Sequence, residues 1–249
     1  MNPPRPWYAE RFDDTYLDLY AHRDAAEAEL ATVRLLDPLG LAGRRVLDVA
    51  CGAGRFVGVV AQRGASVVGV DLSADLLRTA HASGDPPPLG LVRADMRQLP
   101  FATGSFDLVL SMFTSFGYFP TAAEDRAALA EMARVLRPNG DLVLDFLNAE
   151  RLRRLPPETT ERDAGPYRVH ETRRLDPAGE RVVKEIELRR GTEVRRYREE
   201  VRVWSAADLE AALAAAGCAV VQRWGDYEAR PFVLAESPRL VLHARRSAA

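Results

Sequence analysis

The stretch from Arg45 to Ser73, RVLDVACGAGRFVGVVAQRGASVVGVDLS, constrains this chain more than any other. Val46, Leu47 and Val49 make a short apolar run, as a strand covered on both faces of a parallel sheet would. The run ends in a loop whose Gly52 and Gly54 let the backbone turn tightly and approach a ligand with no Cβ in the way. Phe56, Val57, Val59 and Val60 recur at helical spacing over 55–62, and Gly64 is a helix stop. Val67, Val68 and Val70 form a second apolar strand. Asp71 stands at its end, where a carboxylate can accept hydrogen bonds from both hydroxyls of a ribose.

A pair of glycines alone says little, because apolar strands often end in glycine. Here the strand before, the helix after and the terminal acid agree on a nucleotide pocket. A nicotinamide fingerprint wants a third glycine three residues after the second, and Val57 stands there. Asp48 precedes the loop, where an acid can meet an ammonium group. Asp48-x-x-Cys51-Gly52-x-Gly54 resembles the first motif of the class I S-adenosylmethionine-dependent methyltransferases, and Asp71 matches that family's ribose-binding acid. Leu99-Pro100-Phe101 with Ser105-Phe106-Asp107, and LRPNGDLVLDF over 136–146, resemble later segments of the same family. Trp224-Gly225-Asp226-Tyr227 and Ser237-Pro238-Arg239 resemble the C-terminal end of a bacterial subgroup of small-molecule type.

The resemblance covers nearly the whole chain. It implies an α/β fold: a Rossmann-like, doubly wound, seven-stranded, mainly parallel sheet with the last strand antiparallel, in a single domain over 1–249. It implies S-adenosyl-L-methionine as cofactor, held by Asp48, Ala50, Cys51, Gly52 and Gly54 in the first loop and by Asp71 and Leu72 after the second strand. Asp95 would take the adenine amino group and Met96 would pack on the ring. Met112 and Phe113 would contact the cofactor after the fourth strand, since ligands of open parallel sheets lie beyond the carboxyl ends of the strands. Phe116, Tyr118 and Phe119 would help line the acceptor site; simple core packing is the plainer reading of these aromatics.

Trp7, Tyr8, Phe12, Tyr16, Leu19 and Tyr20 recur at steps of three and four. The plain reading is a helix packing its apolar face. The sharper one is a helical lid over 1–36, with Tyr16 and Tyr20 against the cofactor and Arg23 on its carboxylate. Strands are expected over 89–94, 105–110, 141–147, 219–224 and 239–244, with helices over 25–36, 122–136 and 208–216 and a turn at 137–140. Asp107 reads as structural, and Asn148 as bordering the cleft. Composition changes from Arg151 to Val203, which holds 15 basic and 11 acidic residues. Tyr197, Glu199, Val201 and Val203 alternate there with Arg196, Arg198, Glu200 and Arg202. That pattern, with strands over 167–175, 181–190 and 193–204, reads as an antiparallel β insertion over 152–204 capping one end of the main sheet.

The net charge of −2 argues against broad attraction to nucleic acid or anionic membrane, so nucleic acid is not expected as a partner. Cys51 and Cys218 suggest neither a disulfide framework nor a metal site. With no signal peptide read and no apolar run of spanning length, a cytoplasmic monomer or homodimer acting on a small-molecule methyl acceptor is expected. Methyl transfer is an in-line displacement in which the protein chiefly supplies alignment, so no catalytic triad is required. Tyr118 and His170 are the candidates for a general base. An RNA or protein acceptor, a nicotinamide oxidoreductase and a non-catalytic nucleotide binder stay open as alternatives.

Overall fold

A computed structural model describes residues 6–12, 14–20, 25–83 and 90–248. Three short helices come first: α1 (Trp7–Glu10), α2 (Asp14–Leu19) and α3 (Ala25–Ala31), the last widening into a π-helical turn over Thr32–Leu36. The nucleotide unit follows as β1 (Arg45–Val49), α4 (Arg55–Ala61) and β2 (Ser66–Asp71). Next come α5 (Ala74–Ser83), β3 (Gly90–Arg93), β4 (Phe106–Ser111), α6 (Ala122–Val135) and β5 (Leu136–Leu147). A second run holds α7 (Ala149–Arg154), β6 (Glu158–Ala164), β7 (Tyr167–Leu175), β8 (Arg181–Arg190) and β9 (Glu193–Arg202). The last elements are α8 (Ala206–Ala215), β10 (Cys218–Trp224) and β11 (Arg239–Arg246).

The main sheet has seven strands in the order β10-β11-β5-β4-β1-β2-β3. β1 to β5 pair in parallel, whereas β11 runs antiparallel to both β5 and β10, as the resemblance implied. The chain winds outward from β1 to β3, then crosses back to β4 on the other side of β1. The loops after β1 and β4 therefore diverge and leave a crevice at the carboxyl ends of these strands. Consecutive strand residues face opposite layers. Leu47 and Val49 pack with Leu129 and Phe146 on one side, and Val46 with Phe56, Val60 and Leu108 on the other. Each such side chain contributes roughly 1.5–3 kcal/mol by burial.

Close approach rather than turn geometry explains Gly69 in the middle of β2. A Cβ there would stand 2.8 Å from the Cys51 sulfur and 2.9 Å from a Leu91 methyl. Helix α6 starts on a capping box, with the Glu124 amide donating to Thr121 Oγ1 (3.3 Å) and the Thr121 amide donating to Glu124 (3.1 Å).

The insertion forms a separate four-stranded antiparallel sheet, β6-β7-β8-β9. Strand β6 and helix α7 were not expected. β6 is an edge strand of sequence ETTERDA, exposed on nearly every residue, so no apolar alternation marks it. The expected turn at 137–140 is instead the bulged start of β5, where the register with β4 shifts between Phe106 and Leu108 and Asn139 takes φ +62°. Buried Asp125 of α6 anchors the end of β9, accepting from Arg202 Nε and from Trp204 Nε1, each at 3.1 Å. The inner face of the second sheet packs Val169, Ile186 and Leu188 against Leu19 and Tyr20 of the N-terminal segment. Among the described residues no helix is long and apolar enough to cross a membrane.

Candidate active site

Three adjoining cavities open at the carboxyl ends of the parallel strands. The first, of about 680 Å³, is floored by Gly52, Asp71, Leu72, Asp95 and Met96. Its opposite wall is Tyr8, Phe12 and Tyr16 from the N-terminal helices, with Tyr118 and Phe119 beside them. Asp71 is fixed by two backbone donors at 2.8 Å, the Gly52 amide on one oxygen and the Ser73 amide on the other. A carboxylate has about four acceptor positions, so each oxygen keeps room for one more donor, as a vicinal diol requires. Burial pushes the Asp71 carboxyl above its ordinary range, and the backbone amides of Ser73, Gly52 and Leu72 pull it back in part. Asp95 is gripped by Arg97 at 2.6 Å, which outweighs its burial and holds its carboxyl below the ordinary range.

The second cavity, of about 890 Å³, continues along the loop after β1. Asp48, Ala50, Cys51, Gly52 and Arg55 line one side, and Tyr16, Tyr20, Met112 and Phe113 the other. Burial, reinforced by the Asp71 charge and opposed by Arg55, raises the Asp48 carboxyl to about 8. Arg55 lies 3.8 Å over the Phe113 ring, a cation–π contact. One acid and one guanidinium thus share the cavity, matching the ammonium and carboxylate of an amino-acid end. Arg55 was not among the expected residues, although its place directly after Gly54 was the available signal. Arg23, expected in that role, lies outside the described residues.

The third cavity, of about 1050 Å³, lies between the main sheet and the insertion. Thr114, Leu147 and Arg239 come from the main sheet side, and Lys184, Glu199 and Val201 from β8 and β9. Tyr16 lines all three cavities, and Tyr118 the first and third, so the three meet at these rings. Tyr118 packs on Trp7 at 5.0 Å and on Phe12 at 5.9 Å.

Backbone strain gathers at this junction. Ala50, Phe113 and Thr114 hold φ of +59°, +58° and +60° without being glycine. Each costs on the order of 1–3 kcal/mol and persists only where the surroundings enforce it. Asp145 enforces two of them, since its carboxylate accepts from the Phe113 amide at 2.7 Å and its carbonyl from the Thr114 amide at 3.2 Å. Arg239 bridges Asp145 (2.7 Å) and Thr114 Oγ1 (2.9 Å), and Tyr227 donates to the same carboxylate.

Several expected residues sit elsewhere. His170 is exposed on β7, within 3.2 Å of Glu161, and lines none of the three cavities, so the expectation of a general base there is corrected. Neighbouring Val169 turns inward, and strand alternation sends His170 to solvent. Gly54 lines none of the three cavities; a Cβ on it would meet the Ala80 Cβ at 3.0 Å, so it serves helix packing. Phe116 is core, against Phe146 and Trp204. Asn148 is buried, donating to the Leu234 and Ser237 carbonyls, rather than bordering the cleft.

Comparison with known proteins gives consistent matches. Residues 46–140 match the family model of a methyltransferase domain. A demethylmenaquinone methyltransferase from Beutenbergia cavernae is 41% identical over 110 residues, 44% of this chain and 43% of that protein. A phthiotriol/phenolphthiotriol dimycocerosates methyltransferase from Mycobacterium leprae is 33% identical over 57% of this chain and 48% of that protein. The chain spans about half the length of the curated relatives it matches. Among solved structures, a sugar N-methyltransferase from Streptoalloteichus superposes with a TM-score of 0.71 at 25% identity, covering 94% of each chain. An amino pentose methyltransferase from Micromonospora echinaspora, with S-adenosylmethionine bound, gives 0.66 at 25% identity over 94% of this chain and 97% of that one.

Proposed function

We propose that this chain is a class I S-adenosylmethionine-dependent methyltransferase, as its matching domain and structural neighbours support, and that it transfers a methyl group to a small-molecule acceptor held in the third cavity. The observation that carries the reading is the pair of buried carboxylates at the tips of adjacent strands, Asp48 on β1 and Asp71 on β2, on either side of the Gly52 turn. Asp71 would take the ribose hydroxyls, Asp95 and Met96 the adenine, and Asp48 with Arg55 the amino-acid end. The bound cofactor supplies a methyl group already activated on a sulfonium. The protein's own part is alignment and exclusion of water, and near-attack positioning can be worth on the order of 7–11 kcal/mol.

The N-terminal residues through Leu36 serve as the lid on this reading. Phe12 and Tyr16 cover the first cavity, and Ser73 Oγ donates to the Phe12 carbonyl at 2.5 Å while capping α5. Tyr118 orients the acceptor at the junction of the cavities. The same reading has the enzyme work in the cytoplasm, where both of its buried cysteines stay reduced.

Calorimetric titration with S-adenosylhomocysteine tests the proposal. Saturable binding is expected, weakened by about 1–3 kcal/mol in Asp71→Ala through two lost charge-assisted hydrogen bonds. Preference for NADH over S-adenosylhomocysteine would overturn it.

A further inference from the structure

The third cavity carries chemistry beyond a generic acceptor site. Its walls include Phe12, Tyr16, Tyr20, Phe113 and Tyr118, whose ring faces are electron-rich. Glu199 projects into the same space from β9, with its side chain 15% exposed. Behind it stands Arg11, 2% exposed, whose Nε donates to Glu199 Oε1 at 2.8 Å. The Arg11 guanidinium lies 4.5 Å over the Tyr197 ring, and its two terminal nitrogens find no hydrogen-bond partner among the described residues. Glu199 is the only ion-pair partner of this buried guanidinium among the described residues, so the two charges hold each other in place at the cavity wall. Among the described residues its Oε2 receives only a 3.3 Å contact from the Tyr20 hydroxyl and keeps acceptor capacity towards the cavity.

The cations around the cavity are committed elsewhere. Lys184 is held by Glu171 at 3.0 Å and by the Tyr20 oxygen at 2.9 Å. Arg173 pairs with Glu158, and Arg239 spends two nitrogens on Asp145 and Thr114. An ionised carboxylate inside a ring of aromatic faces attracts a cation twice over, by direct charge and by the ring quadrupoles.

We propose that the third cavity receives an amine-bearing acceptor, docked as its ammonium on Glu199, and that Glu199 is the residue that sets this specificity. The proposal rests on the methyltransferase reading and names the class of its acceptor. Because Arg11 and Tyr20 both belong to the N-terminal segment, the docking carboxylate is fully supported only when that segment lies over the cofactor cavities.

The test uses the full chain saturated with S-adenosylhomocysteine and three probes of one shape: cyclohexylamine, cyclohexanol and cyclohexanecarboxylate. Affinities are read by ligand-observed NMR titration. The amine should bind about tenfold or more tighter than the alcohol, and Glu199→Gln should abolish that margin. Equal or better binding of the alcohol or the carboxylate, a margin that survives Glu199→Gln, or binding of no probe would each overturn the proposal. The three-probe comparison in the unaltered protein decides the outcome even if the variant folds poorly. Titration with S-adenosylhomocysteine reports separately on the cofactor cavities: its failure would sink the methyltransferase reading, whereas a failure confined to the probes would sink only the amine.

Discussion

The two sheets of this molecule solve the same problem in opposite ways. The main sheet is buried on both faces, and β1, β2 and β4 are almost wholly buried along their length. Its cavities and its backbone strain gather where the strands stop, at Asp48, Asp71 and the loops after β1 and β4. The second sheet has one face in solvent, carries Arg–Glu pairs across its strands, and hides its contribution within a strand, at Glu199. The first sheet presents a rim made largely by backbone geometry. The second presents side chains, which can change without disturbing the sheet that bears them. A fixed cofactor and a variable acceptor would place just these demands on two neighbouring surfaces.

The comparison can be broken most forcefully in the core. Leu47→Ala removes a fully buried side chain from the central strand and should cost about 2–5 kcal/mol in denaturant unfolding. A cost below about 1 kcal/mol would mean that β1 does not organise the fold.

A middle-sized effect sharpens the contrast between stability and function at the rim. The Asp48 carboxyl is raised to about 8 from an ordinary 3.8. The folded chain therefore holds this proton more tightly than the unfolded one. The group's penalty is absent below the unfolded value, grows as pH rises through the window between the two, and is complete above about 8. Asp48→Asn should then raise the melting temperature of the ligand-free protein at neutral to alkaline pH, by about 1–3 kcal/mol in stability, with little change near pH 4. The same variant should bind S-adenosylhomocysteine more weakly. In the unaltered protein, binding below about pH 8 should release a proton, seen as a binding enthalpy that changes with the ionisation heat of the buffer. A melting temperature in Asp48→Asn that never exceeds the parent's would show that this carboxylate is not held against its preference.

The smallest effect belongs to the outer face of the insertion. Arg196→Ala removes an exposed ion pair with Glu187 and should change stability by less than about 0.5 kcal/mol. A loss of several times that would mean the charged face is covered by a partner.

The residues that line the first two cavities were legible because they are local in sequence and bound to a pattern. Asp48, Gly52 and Asp71 fall at fixed distances from apolar runs, and a strand end is where an open parallel sheet can use an acid. Arg55 escaped notice because arginine after a glycine turn usually reads as a solvated helix start. Glu199 had a signal that went unused: it shares a face with Tyr197 and Val201, and an acid in register with apolar residues has a reason to point inward. His170 shows the converse error, a residue chosen for its chemistry although its alternation partner, Val169, was the one turned inward.

The sequence by itself determined most of the order of strands and helices, β6 and α7 excepted, together with the crevice where the winding reverses and the acids at its rim. These follow from hydrophobic period and turn chemistry, which act over a few residues. Only the tertiary structure decided that Arg11 meets Glu199 across 188 positions of chain, that three cavities join at Tyr16, and that Asp145 and Arg239 hold Phe113 and Thr114 in their strained turn. Those contacts depend on how one sheet leans on another, a geometry set by packing among distant side chains that no local pattern encodes.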